Sequence, residues 1–239
     1  VKPLPPHEEV RDAFLAQRRL LAGGPVRTIV DGGAHLGETA ARYREAFPEA
    51  VVWSFEPAPE SFGRLRAAFA DDPLVRPVNL ALGREPGAAT LHLNRATGTH
   101  SLFRRPASGR RYYDPEGVPA GRTEVRVTSL DAFTAERGLE RLDVLKLDVQ
   151  GGELGALQGA ARLLREGRIG LVYAEVLFVH HYEGEPLFHE VAAFLEGLDY
   201  TLYGLYDLVF ARDGQLRFAD AIFIPAATRA ALDEYEPEY

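Results

Sequence analysis

The stretch Val26 to Gly37, VRTIVDGGAHLG, constrains the fold more than any other part of this chain. Val26, Ile29 and Val30 form a short β-branched apolar run that ends at Asp31. Gly32, Gly33 and Gly37 follow, and Leu36, Ala40, Tyr43 and Phe47 then recur at helical spacing. The pattern predicts a buried strand, a tight glycine turn and an amphipathic helix. In open α/β sheets this junction, at the carboxyl end of a strand, is where nucleotide-like ligands sit. Glycines let backbone approach a ligand, and the helix N-terminus offers unpaired N–H groups.

A dinucleotide fingerprint requires Gly-x-Gly-x-x-Gly. Here Ala34 stands where the middle glycine belongs, and the pattern that fits is Asp31-x-Gly33-x-x-x-Gly37. An acidic residue at the strand end suits a cationic ligand better than a pyrophosphate. S-adenosylmethionine, with its sulfonium and ammonium groups, is such a ligand. A strand–turn–helix without a ligand is the plain alternative.

The 239 residues are 46% hydrophobic, which supports one sizeable domain with a full core. The formal net charge of −8 argues against wholesale binding to a nucleic acid backbone. There is no cysteine, so disulfides, thiol nucleophiles and Cys-ligated zinc are excluded. No apolar run approaches the ~20 residues of a membrane span, and VKPLPPHEEVRDAF has no signal-peptide core. A cytoplasmic enzyme or binding protein, without a membrane partner, is expected.

Residues 1–25 read as an extension: a proline-rich start, then a helix carrying Val10, Phe14, Gln17 and Leu21, stopped by Gly23-Gly24-Pro25. The main domain then runs over 26–225. Its second strand, Val51–Phe55, ends in Glu56, 25 positions after Asp31. In nucleotide-binding α/β units an acidic residue roughly 20 positions on accepts hydrogen bonds from ribose hydroxyls. Pro57 is placed to start a helix with Phe62, Leu65 and Phe69 on its core face. Val75–Val78 predicts a third strand, with Asn79, Ala81 and Leu82 following it beside an adenine pocket.

Residues 88–95 and 124–128 alternate polar and apolar, as antiparallel strands do. Between them, 96–123 is a long loop carrying His100, Arg104, Arg105, Arg110, Arg111, Tyr112 and Tyr113. Long loops are usually functional or disordered. An arginine cluster in an acidic chain points to an anionic or sugar-bearing acceptor. Leu142–Leu147 predicts another buried strand that ends in Asp148, with Lys146 on the same side. Ile169–Ala174 predicts one that ends in Glu175, before His180 and His181. Thr201–Tyr206 and Ala221–Ile224 read as closing antiparallel strands at the sheet edge, and 226–239 as an acidic tail. Strand–helix alternation with strand-end carboxylates predicts a doubly wound α/β sheet.

These blocks resemble the FkbM-type S-adenosylmethionine-dependent methyltransferases. The matching stretches are VDGGAHLGETA, FEPAPESFGRL, NLALG, SLDAF, LDVLKLDVQGGELGALQGA, YAEVLFVHHYEGEPLFHEVAAFL and ADAIFIP, in order from about residue 26 to 225. The resemblance implies a class I methyltransferase, Rossmann-like fold: a seven-stranded sheet, mostly parallel, with an antiparallel edge strand. It implies that Asp31, Gly33, His35 and Gly37 hold the amino-acid part of S-adenosyl-L-methionine. Glu56 would hold the ribose, and Asn79, Ala81 and Leu82 would lie by the adenine. It further implies O-methylation of a sugar, glycan or natural-product hydroxyl. Two positions depart from the family pattern: His35 stands where asparagine is usual, and Gln150 where glutamate is usual.

The chemistry expected is in-line displacement at the methyl carbon, to which a protein contributes mainly proximity and orientation. A hydroxyl is a weak nucleophile and gains from a base or a metal. His100, His180, His181 and Asp148 are the base candidates, and Asp148 also borders the cofactor. Asp148 and Glu175, completed by a histidine or Asp207, have oxygen ligands suited to magnesium. That option stays open, with no metal ligand assigned. Two rival classes are an adenosyl-binding module without catalysis, for which His35 and Gln150 speak, and an NAD-dependent oxidoreductase, against which Ala34 and Asp31 speak. The oligomeric state is open, a homodimer included.

Overall fold

The computed structural model describes residues 12–106 and 118–233. The apolar run and glycine turn form β1 (Thr28–Gly32) and α2 (Glu38–Ala46), preceded by α1 (Ala13–Leu20). Then come β2 (Val51–Phe55), α3 (Pro59–Ala68), β3 (Val75–Val78), β4 (Ala81–Leu82) and β5 (Gly87–Asn94). They are followed by β6 (Pro119–Thr128), α4 (Leu130–Arg137), β7 (Val144–Leu147), α5 (Glu153–Gln158) and α6 (Ala161–Arg165). The chain closes with β8 (Val172–Leu177), α7 (Phe188–Glu196), β9 (Tyr200–Phe210), β10 (Leu216–Pro225) and α8 (Ala226–Asp233).

Seven strands form one sheet in the order β3-β2-β1-β7-β8-β10-β9. The first five are mutually parallel, and β10 runs antiparallel to both β8 and β9. The expected doubly wound sheet with antiparallel pairing at one edge is therefore present. Side-chain alternation divides the core into two layers. Trp53, Phe55, Leu145, Leu147, Val172 and Ala174 face α4 to α7. Ile29, Val52, Val144, Tyr173 and Ile222 face α1 and α2. A second sheet, β4-β6-β5, holds its own apolar patch of Ala81, Leu91 and Val125.

Several boundaries differ from expectation. Asp31 lies inside β1 rather than ending it. Pro59, not Pro57, is the first residue of α3; Ala58 is its N-cap and keeps extended backbone, as a residue before proline prefers. Glu175 lies inside β8, which continues to Leu177 because β10 pairs with it as far as Phe218. The first part of the expected acidic tail is α8, packed through Leu232 on the α1/α2 layer. Val10, Arg110, Arg111, Tyr112, Tyr113 and residues 234–239 lie outside the described residues.

Register sets one feature that elementary packing would avoid. Asp31 and Lys146 are direct neighbours across β1 and β7. Asp31 is fully buried and Lys146 nearly so, with Nζ 3.0 Å from Asp31 Oδ1. Lys146 Nζ also donates to the carbonyls of Gly32 and Gly33, at 3.2 and 3.1 Å. Burial alone disfavours both charges. Each offsets that cost for the other, and the carbonyls absorb the remaining donors. Lys146→Met, which strands the Asp31 carboxylate, should lower the unfolding free energy by about 3–5 kcal/mol. Adding Asp31→Val should restore part of that loss. Urea denaturation of both variants checks this; equal stability of Lys146→Met and wild type would mean the pair contributes nothing.

Candidate active site

A cavity of about 260 Å³ opens at the carboxyl ends of β1, β2 and β7. Its floor is the glycine turn. Gly33 is left-handed at φ +75°, and a Cβ there would stand 1.8 Å from the Asp148 carbonyl oxygen. The β1–α2 and β7–α5 loops therefore touch backbone to backbone, which only glycine permits. Gly37, at φ +100°, is the N-cap of α2, and a Cβ there would meet the Phe69 ring at 2.3 Å. Its role is packing against α3; it does not line the cavity.

Three carboxylates border the space: Glu38, Glu56 and Asp148. Glu56 is buried and accepts from the backbone N–H of His35 at 2.9 Å and of Ala58 at 2.8 Å. Burial outweighs these bonds and pushes its carboxyl up to about 7. Asp148 is more open, with a side-chain exposure of 41%. Its Oδ1 accepts from Gln150 Nε2 at 2.7 Å, and its Oδ2 lies 4.0 Å from Lys146 Nζ. The opposite wall is apolar, from Phe55, Leu80, Leu82, Leu91 and Leu102.

The roof comes from the segment after β5. Thr97, Gly98, His100 and Ser101 line the cavity from above. His35, in left-handed backbone at φ 50°, shares a hydrogen bond between Nε2 and Thr97 Oγ1 at 2.8 Å. Ser101 Oγ donates to the Gln150 carbonyl at 2.6 Å. The roof is thus tied to the β1–α2 loop on one side and to the β7–α5 loop on the other. His100 Nδ1 accepts the backbone N–H of Asn94 at 3.0 Å, so the neutral ring carries its proton on Nε2. Burial, with His35 nearby, lowers its pKa further. This ring is a donor, not the base the sequence suggested.

Other expected residues fall outside the lining. Asp31 lies beneath the cavity, engaged with Lys146. Asn79 Nδ2 donates to the carbonyls of Glu56 and Pro57, at 2.9 and 3.1 Å, and so fastens the β2–α3 loop; its neighbours Ala81 and Leu82 do line the cavity. His180 is exposed and lies 3.3 Å from Glu185. His181 is buried edge-on to Phe218, and burial lowers its pKa to about 4. Neither histidine reaches the cavity. Gln150 Nε2 sits between Asp148 Oδ1 and Glu175 Oε2, at 2.7 and 3.0 Å, and among the described residues no group of three ligating side chains is placed to hold a metal.

Gln150 is the residue whose importance spacing alone concealed. It takes left-handed backbone at φ 55°, and its Oε1 lies 2.7 Å from the Tyr182 hydroxyl. Asp148, an acceptor when ionised, orients the amide with Nε2 toward the carboxylates, and the Tyr182 hydroxyl donates to Oε1. Glutamate here would remove the donor between Asp148 and Glu175 and add a negative charge beside Asp148. Glu175 already titrates well above the ordinary range, through burial and then the Asp148 charge.

The loop from Asp148 to Glu153 is closed by Glu153, which accepts from Val149 N–H at 2.8 Å and Gly151 N–H at 3.3 Å. Burial raises its carboxyl to about 7. A group whose folded-state pKa is raised stabilises the fold fully below its unfolded pKa, and that contribution is lost as pH rises through the folded value. Glu153→Gln keeps an acceptor oxygen and cannot ionise. It should gain on wild type by roughly 2 kcal/mol between pH 5 and pH 8. Denaturation curves at the two pH values measure this; a pH-independent difference would remove Glu153 as a titrating group.

The chain is similar in sequence to known methyltransferases. The methyltransferase FkbM domain matches residues 31–202. The 2-O-methyltransferase NoeI of Sinorhizobium fredii is 27% identical over 191 residues, covering 73% of this chain and 77% of that protein. Methyltransferase sdnD of Sordaria araneosa is 29% identical over 153 residues, 55% of this chain and 59% of that protein. Among solved structures, a precorrin-6y C5,15-methyltransferase from Geobacter metallireducens GS-15 aligns over 94% of this chain and 92% of its own, with 14% identity and a TM-score of 0.49. The chain belongs to the FkbM methyltransferase family and is an S-adenosylmethionine-dependent methyltransferase.

Proposed function

We propose that the protein transfers a methyl group to a hydroxyl oxygen of a polyhydroxylated acceptor, with Asp148 taking the hydroxyl proton. What supports this is the position of Asp148: an open carboxylate at the cavity's polar end, held on one oxygen by Gln150 and with the other 4.0 Å from the Lys146 ammonium. The similarity to a protein named 2-O-methyltransferase points the same way.

The residues present fit the cofactor. Glu56 has both oxygens engaged by backbone amides and keeps lone pairs for a ribose diol. Leu80, Ala81, Leu82, Leu91 and Leu102 give an apolar slot for the adenine. The turn from Gly33 to His35, with Glu38 beside it, takes the amino-acid end. Because Asp31 offsets its charge, the Lys146 ammonium in the cavity lining does little to repel a cationic ligand. When bound, S-adenosylmethionine supplies an electrophilic methyl on a sulfonium sulfur and leaves as a neutral thioether.

The protein's own residues then do two things. The roof and the two loops hold the acceptor oxygen in line with the methyl carbon, which is the larger part of such catalysis. Asp148 receives the proton as the new carbon–oxygen bond forms and the hydroxyl becomes acidic. Asp148→Ala should bind S-adenosylhomocysteine within about threefold of wild type, by calorimetry, yet lose roughly 10²- to 10⁴-fold in turnover. Turnover is read as transfer of a labelled methyl group to a panel of neutral and anionic sugars. Label appearing only on amines or carbon would overturn the hydroxyl reading, and full turnover in the variant would remove Asp148.

Glu56 gives the binding step a pH signature. Ribose hydroxyls donate to the ionised carboxylate, so below its pKa of about 7 binding must first expel a proton. S-adenosylhomocysteine affinity should fall about tenfold from pH 8 to pH 6. Glu56→Gln should be weaker at pH 8 and flat across the range.

A further inference from the structure

On the outer face of the β4-β6-β5 sheet is a second space, a groove of about 510 Å³. It is lined by His92, Asn94, Arg104, Arg105, Pro119 and Arg122. Alternation along β5 separates it from the cavity: Leu91 faces the cofactor side, and His92 and Asn94 face the groove. Three arginines and a histidine converge here in a chain whose net charge is −8.

Register brings the basic groups together. His92 and Arg122 are directly opposed across β5 and β6. Arg122 is exposed and makes no ion pair among the described residues. Arg104 is offset only in part, with Nε 3.8 Å from an exposed oxygen of Glu183. Basic side chains opposed across a sheet gain nothing from one another. An anion between them would accept charge-assisted hydrogen bonds from the guanidinium groups.

The groove is also wired to the reacting carboxylate. Arg105 lies over the Tyr182 ring at 5.1 Å, and its Nη2 is 3.4 Å from the Tyr182 hydroxyl. That hydroxyl is 2.7 Å from Gln150 Oε1, and Gln150 Nε2 donates to Asp148. Only two side chains, Tyr182 and Gln150, separate the groove wall from Asp148. All donors along this path can point toward the carboxylate.

We propose that this groove is the acceptor's anchoring subsite and takes an anionic group carried by the hydroxylated acceptor, such as a phosphate, sulfate or carboxylate. The inference rests on the hydroxyl-acceptor reading above. The apolar stems of the arginines and Pro119 would carry the body of the acceptor, and the guanidinium groups its charge.

The test uses the full chain loaded with S-adenosylhomocysteine. Glucose, glucose 6-phosphate, glucuronate and inorganic phosphate are titrated at low and high salt. The same series is run on Arg104→Ser/Arg122→Ser, whose substitutions are exposed and outside the cofactor cavity. Expected are salt-sensitive binding of the anionic probes, none of glucose, and affinity about tenfold or more weaker in the variant. The phosphate and carboxylate arms identify which anion the groove prefers. Unchanged anion affinity in the variant, or no anion binding at all, would overturn the proposal. So would binding only of a single-stranded oligonucleotide in a parallel titration. Loss of S-adenosylhomocysteine binding marks a different failure, that of the cofactor site, and is read separately before any anion is added.

Discussion

The ion pair between Asp31 and Lys146 is the constraint on which the site depends. It lies between the two central strands, at the level where both become loops. Lys146 spends its donors on Asp31 and on the carbonyls of the glycine turn. The turn is thereby fixed from below, and the Gly33 backbone can press against the Asp148 carbonyl without slipping. The cavity floor and Asp148 share one support. A buried pair of this kind is an expensive way to gain stability, since apolar residues of similar size often serve as well. Its value here is positional.

Above that floor the site is assembled from loops that hold one another. His35 links the glycine turn to the roof through Thr97, and Ser101 links the roof to Gln150. Gln150 in turn spans Asp148 and Glu175 and meets Tyr182. Two of these residues, His35 and Gln150, keep left-handed backbone without being glycine. Such conformations cost on the order of 1 kcal/mol each and persist where surrounding contacts overdetermine them. Both residues make side-chain hydrogen bonds that tie separate loops together.

Much of this was legible in the sequence. β-Branched runs followed by glycine or a carboxylate located β1, β2, β7 and β8, because a buried parallel strand leaves few other patterns. The strand-end position of Glu56 and Asp148 marked two carboxylates that do border the cavity. Asp31 was read as a ligand contact because a charge at that point has no packing rationale on its own; its partner is more than a hundred residues away, and only register reveals it. The role of Asn79 was hidden for a similar reason, since its amide satisfies backbone carbonyls that a sequence does not display. The nitrogen of His100 that carries the proton is decided by a neighbouring backbone N–H, which a sequence does not display. The adjacency of His180 and His181 carried no information about the cavity, because α7 and β10 govern where that loop lies.

The pairing of β1 with β7 also sets the order in which this molecule can be made. At the far end of the same strands, Asp143 Oδ2 accepts from the backbone N–H groups of Arg27 and Thr28, at 2.7 and 3.0 Å, across 116 and 115 residues of sequence. Closing so long a loop is slow, since its entropy is lost before any contact rewards it. The β9–β10 hairpin and the β5–β6 ribbon, by contrast, are nearly local. During synthesis the roof can fold before β7, which supports the floor from the side, has emerged. Cofactor binding then becomes a late event, available only once the second central strand has emerged and found the first.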